Sequence, residues 1–172
     1  NWIGKSKGLI FTSPVKDMDF KLETFSAHFE SCYADTFVVI APDHKLLPTL
    51  VEGIENKDEI LQSAADMVTN RSSDRKDDKE IKGIFTGRYV VDPLGNGDLP
   101  IWIASFALAD YGTGIIKCSA HDERDFAFAK KYNIPLKIAL VPFNDSELEK
   151  EVLAQQVCYT DMKNGKLLEQ SQ

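Results

Sequence analysis

The chain has 172 residues, with 20 Lys and Arg against 27 Asp and Glu for a formal charge of -7, and 43% of its residues are hydrophobic. That length suits one core, since a chain of this size buries about 70% of its unfolded surface, and a 27% charged fraction with 10 Phe and 2 Trp argues against a disordered chain. The acidity argues against a protein that tracks many phosphates on a broad basic face, while leaving room for one that grips a single nucleotide end.

The first strands come early. Gly8 to Val15 is an apolar run bounded by Gly and Pro, and Asp19 to Ser26 alternates with period two, placing Phe20, Leu22 and Thr24 on one face. Thr36 to Ala41 is continuously apolar and stops at Pro42, as expected of a strand buried on both faces. The period then becomes helical at Leu46, Leu47, Leu50, Val51 and Ile54, and again at Ile60, Leu61, Ala64, Ala65 and Val68 in a stretch that opens near Lys57. Residues 69 to 82 include a mixed-charge run without apolar side chains, the place expected for a mobile loop.

Strands resume at Gly83 to Val91 and Leu99 to Phe106, joined through Gly95-Asn96-Gly97, so a hairpin is expected. The turn at Tyr111-Gly-Thr-Gly114 precedes a short strand, Ile115 to Ser119, after which Asp122 opens a helix with Phe126, Ala129 and the Lys130 stem on one side, ended by Pro135. Leu136 to Val141 reads as a strand and 145 to 157 as an amphipathic helix with Leu148, Val152 and Leu153 inward, before a tail at 158–172 that reads as a linker. Strands outnumber helices without regular crossovers, which argues against a doubly wound sheet and for an α+β fold: a mixed or antiparallel, β-barrel-like core with peripheral helices.

No apolar run approaches the roughly 18 residues of a membrane span. Asn1 to Ser6 carries neither an initiator Met nor a signal pattern, so the chain reads as a single domain, 1–172, excised from something longer. Cys32, Cys118 and Cys158 are odd in number and mutually distant, a poor disulfide framework, and a reducing cytoplasm is the expected setting.

The densest polar cluster is His121-Asp122-Glu123-Arg124-Asp125, at the start of a helix. Asp122 as N-cap and Asp125 three residues on are what orphan N–H groups and the helix dipole favour; two carboxylates at one helix start beside a Gly-rich turn can also hold an ammonium group. Cys118 and His121 are one half of a zinc pattern without a second half, so no metal is expected. Tyr111-Gly-Thr-Gly114 is too short for a dinucleotide fingerprint and reads as a tight turn.

Tyr111-Gly-Thr-Gly114 followed by His121 to Pro135 (HDERDFAFAKKYNIP) resembles the inserted editing domain, connective polypeptide 1, of bacterial-type leucyl-tRNA synthetase. Asn1 to Ser6 (NWIGKS), Ala41-Pro-Asp-His44, Lys82 to Gly87 (KGIFTG) and Pro100-Ile-Trp-Ile103 extend the resemblance in the family's order over most of residues 1 to 140. It implies hydrolysis of the ester joining a wrong amino acid to the terminal adenosine of tRNA, with water as nucleophile and no cofactor. ATP and Mg belong to the parent enzyme's synthetic domain. The implied partners are the 3' end of aminoacylated tRNA(Leu) and the rest of the synthetase chain. Asp125 would pair with the α-ammonium of the aminoacyl group. Asp122, Tyr111 and His121 would line the same pocket, with Ile116 and Cys118 of the following strand, whose register leaves open which of Ile116, Lys117 or Cys118 faces inward.

The family's threonine-rich signature falls at 26–31, where this chain has Ser26-Ala27-His28-Phe29-Glu30-Ser31. The resemblance assigns Ser26, Ala27 and Glu30 to substrate binding and Ser31 to the catalytic site, Ser31 standing where a threonine keeps the correct leucyl group out. Ala27 and His28 depart from the pattern. So do Lys117, Cys118 and Ser119, where apolar residues and a proline are usual. Activity is therefore expected to be intact or impaired, with two alternatives: the same fold kept as a tRNA-end positioning module, or an unrelated small-ligand binder that uses Asp122 and Asp125.

Overall fold

The computed structural model describes residues 9–26, 34–71, 81–161 and 164–168. Six strands, β1 (Leu9–Pro14), β2 (Lys21–Ser26), β3 (Phe37–Ile40), β4 (Gly83–Val91), β5 (Asp98–Ala104) and β6 (Ile115–Cys118), form one mixed sheet in the order β1-β2-β6-β3-β5-β4. The hairpins β1–β2 and β4–β5 are antiparallel, while β3 pairs parallel to β5 and antiparallel to β6. The barrel expected from the sequence is not closed. The outer strands approach at one point, where Val15, just past β1, bridges Val90 of β4, so the sheet curls without becoming a continuous barrel.

The continuous apolar run at β3 is explained by burial on both faces, since all four of its residues are buried. Val38 and Ile40 face inward to Leu22, Ile101, Ile103 and Ile115, and to the helices α1 (Leu47–Leu50) and α2 (Lys57–Arg71). Phe37 and Val39 face outward to Phe128 and Ala129 of α3 (Glu123–Tyr132). In α2, Ile60, Ala64 and Met67 recur at helical spacing and supply its buried stripe.

Several expectations are corrected. The apolar spacing from 46 to 54 yields only the four-residue α1, with Pro48 inside its first turn, followed by turns. Residues 69–71, read as the start of a loop, belong to α2, which continues through Arg71; the mobile-loop expectation for 72–80 lies outside the described residues. The buried face of α3 is Asp125, Phe128 and Ala129, whereas Phe126 is half-buried and Lys130 exposed. Asn133 ends α3 in the left-handed conformation, φ 56°, two residues before Pro135.

Of the run 136–141, only Leu140 and Val141 join a strand, β7 (Leu140–Pro142), because β7's partner is just three residues long. That partner is β8 (Gly165–Leu167), so the tail read as a linker from 158 returns to the domain, with Tyr159 buried on the way. In α4 (Ser146–Leu153), Val152 is buried and Leu148 packs on the same small cluster, but Leu153 is exposed.

One charged group crosses this core. Lys117 of β6 lies opposite Val38 on the inward face. Its Nζ is 2.8 Å from Asp92 Oδ1 and 3.4 Å from Asp35 Oδ2, and 4.5 Å from the centre of the Phe11 ring. All three charged side chains are at least 96% buried. Burial holds the Asp35 carboxyl well above the usual range, against the pull of Lys117. Removing one partner of such a group strands the others in the core. Lys117→Met is therefore expected to lower the unfolding free energy by about 3–5 kcal/mol, as read from urea denaturation.

Candidate functional site

The site is built around the first turn of α3. Asp122 caps it: Oδ1 accepts from the N–H groups of Arg124 at 2.9 Å and Asp125 at 3.1 Å. The cap is possible because Asp122 keeps an extended backbone, φ -124° and ψ 128°, and its short side chain reaches the orphan donors. The preceding residue fixes where the helix starts. His121 is buried, and its Nε2 lies 3.0 Å from Ala139 N and 3.1 Å from Leu140 N. Two donors aimed at Nε2 make it the acceptor, so Nδ1 carries the hydrogen and donates to Tyr159 O at 2.8 Å. Burial pushes its pKa below the usual histidine value, which keeps this arrangement neutral. Both ring nitrogens of His121 are thus engaged with backbone.

Asp125 is 8% exposed and lines a cavity of about 200 Å³. The other walls come from Asp122 and Arg124, from Ile116 and Lys117 of β6, and from Phe106, Leu108 and Tyr111 in the loop before β6. Burial, then the charge of Asp122, pushes the Asp125 carboxyl up to about 8; the Cys118 side chain, the Ser119 backbone N–H and Arg124 pull the other way. An uncharged ligand leaves such a group protonated, whereas a cation ionises it.

Ile116 faces the cavity, and Cys118 does not: fully buried, it packs beneath α3 with Phe37 and Phe128. Burial, with the neighbouring carboxylates, raises its thiol well above the ordinary value, so it is no nucleophile. Tyr111 stands on the rim, 47% exposed and edge-on to Phe25 at 5.5 Å. The turn behind it needs glycine. Gly112 and Gly114 have φ 57° and 78°, and a Cβ would lie 2.6 Å from the Phe25 ring at the first and 2.7 Å from the His44 ring at the second. His44 ties the Ala41-Pro-Asp-His corner to this turn through Nε2 and Thr113 O, 3.0 Å apart.

Ser26 ends β2, 2% exposed, and is not among the cavity's walls. Ala27, Glu30 and Ser31 lie outside the described residues. Sequence reasoning missed Phe106, Leu108 and Arg124 as walls, and the Lys117 group behind them. A lysine between isoleucine and cysteine in a short buried strand was the available signal, since such a charge requires a counter-ion. Among the described residues no three His, Cys, Asp or Glu side chains gather as a metal site, and no helix is long and apolar enough to cross a membrane.

The fold and site define a class: a small mixed-sheet domain in which one acid of a helix start, Asp125, is held desolvated against a cavity of ligand size. The family description of the leucyl-tRNA synthetase editing domain matches residues 1–172, and the chain belongs to that family. A leucine–tRNA ligase from Desulfotalea psychrophila is 38% identical over 83% of this chain and 17% of its own length. One from Thermotoga maritima is 39% identical over 88% of this chain and 18% of its own. The chain thus spans less than a fifth of the curated relatives it matches. A solved ternary LeuRS–tRNA–LeuAMS complex from Agrobacterium radiobacter K84 shares the fold, with a TM-score of 0.65 at 22% identity over 94% of this chain and 20% of that one.

Because its folded pKa of about 8 lies above the ordinary 3.8, Asp125 contributes its full stability below pH 3.8 and loses it as pH rises toward 8. Asp125→Asn should therefore be more stable than the parent at pH 8. The gap should close toward pH 4 by up to about 1.4 kcal/mol per pH unit, measured by thermal and urea unfolding across that range.

Proposed function

We infer that the domain receives the aminoacylated 3' end of tRNA(Leu) and hydrolyses the ester of mischarged species, of isoleucyl, methionyl or norvalyl type, with water as nucleophile. The observation that carries this is the buried Asp125 carboxyl in the wall of the cavity. An entering α-ammonium supplies the cation that ionises it, and the resulting charge-assisted bond orients the ester carbonyl. Ile116, Phe106 and Leu108 offer the apolar walls against which acyl side chains are sorted, each methylene-sized difference being worth about 1–3 kcal/mol. The exposed Tyr111 ring at the rim suits the adenine.

His121 does not act as general base, since its nitrogens are occupied; it holds the helix that carries Asp125. The remaining partner is the rest of a longer leucine–tRNA ligase chain, whose synthetic domain would supply the ATP and Mg chemistry. A second reading keeps binding and drops hydrolysis, and what favours it is Ala27 and His28 in place of threonine and arginine in the family's signature.

Two measurements test the reading. Affinity for a non-hydrolysable aminoacyl-adenosine analogue should rise toward tenfold per pH unit from pH 6 to about 7.5, where the ligand's own amino group, with an ordinary pKa of about 7.7–8.0, begins to deprotonate. Asp125→Asn should flatten that slope and weaken binding at least tenfold, in line with about 1.5–3 kcal/mol for a charge-assisted bond. In the full-length enzyme, deacylation of isoleucyl-, methionyl- or norvalyl-tRNA that is lost in Asp125→Ala supports hydrolysis. Analogue binding without any deacylation supports the positioning module.

A further inference from the structure

α3 carries opposite charges at its two ends. Asp122, Glu123 and Asp125 stand at the first turn beside the cavity, and Lys130 and Lys131 stand in the last turn. The helix dipole favours this order, but so does a ligand that presents an ammonium first and phosphates after it. Arg124, Ala127 and Lys131 share one exposed stripe at spacings of three and four. An open groove of about 710 Å³ lies beside the first turns of α3, its walls including Ile81, His121, Asp122, Glu123, Arg124 and Ala127. Lys131 donates to Ile81 O and lies 5.6 Å from the centre of the Tyr132 ring.

Beyond Lys131 the surface becomes aromatic. Tyr132 meets Trp102 at 5.1 Å between ring centres, Trp102 meets Phe85 at 5.5 Å, and Phe85 meets Tyr89 at 5.5 Å. The last contact exists because the ladder slips between Phe85 and Tyr89; four residues along a regular strand would span about 13 Å. These rings and Pro135 line an open slot of about 160 Å³, in which Tyr89 is 39% exposed. Phe128 packs on the inward side of Trp102 and Tyr132, and the Tyr132 hydroxyl accepts from Gly83 N at 2.8 Å, so it is the Tyr89 end of the run that stands open.

We propose that the basic last turn of α3 and the Tyr132–Trp102–Phe85–Tyr89 slot form a platform for unpaired RNA, on which bases of the strand stack while its aminoacylated end occupies the Asp125 cavity. This rests on the editing-site reading for the position of the strand's end. The ten-residue α3 spans about 15 Å, so the cavity at its start and the slot at its end lie within a few nucleotides of each other. Aromatic faces accept any base, and a lysine beside them meets the backbone charge. Glu123, which would repel a phosphate, stands at the ammonium end.

The test compares two probes on the 172-residue chain: the aminoacyl-adenosine analogue alone, and a short unpaired RNA ending in the same 3'-aminoacyl amide. The RNA should bind more tightly and quench fluorescence, with the signal lost in Trp102→Phe. Tyr89→Ala and Lys131→Ala should each weaken RNA binding about tenfold, as expected for one lost stacking or charge contact, and leave the nucleoside analogue unaffected. Unchanged thermal unfolding would confirm that these exposed positions leave the fold intact. RNA binding that both variants match to the parent overturns the platform, as does a slot whose fluorescence responds to a proline-rich peptide and not to RNA. If the nucleoside analogue fails to bind while RNA binding stays sensitive to Tyr89→Ala, the editing-site reading falls and the platform stands.

Discussion

The arrangement depends on one imidazole. His121 receives two backbone N–H groups from the start of β7 and gives one hydrogen to Tyr159, joining three stretches of chain that local sequence leaves separate. Its own backbone then leads directly into the Asp122 cap, so the origin of α3 is set by a tertiary clamp and not by propensity alone. With the origin set, the helical period carries Asp125 over Cys118 and into the cavity wall. A rotation of α3 by one residue would turn that carboxyl to solvent and remove the desolvation that makes it responsive to a cation.

Two buried electrostatic groups lie on opposite faces of β6, and they behave differently. On the inward face Lys117 is surrounded by Asp35 and Asp92 and has no further demand to make of a ligand. On the outward side Asp125 meets, among the described residues, a thiol and one backbone N–H, both weak donors, and burial leaves it protonated near neutrality. The first is a closed ion group within the fold. The second is an open valence, and the difference between them separates a structural charge from a binding one.

The cavity and the groove lie at the start of α3 and the aromatic slot at its end, so a single ten-residue helix positions all three. Its acidic beginning and basic end make it polar in the direction an aminoacylated strand would take. The net charge of -7 therefore does not oppose nucleic-acid binding here, because what acts on a short strand is the local order of charges and not the sum.

Much of this was legible from residue order, for physical reasons that are local. The doubly buried run at β3, the Gly95-Asn96-Gly97 hairpin, the Asp122 cap and the glycine turn before β6 each rest on periodicity or backbone chemistry within a few residues. The motif from Tyr111 to Pro135 also identified the family and singled out Asp125. Only the tertiary structure decided that Ile116 and Cys118, which share one face of β6, look toward α3 while Lys117 points to the opposite side, because strand parity has no origin until β6 is paired with β3. It also decided that His121 is a clamp, that Lys117 closes on two distant aspartates, and that the tail returns as β8. Each of these is a contact between segments far apart in the chain, and no local pattern encodes the partner of a hydrogen bond or an ion pair that folding brings from tens of residues away.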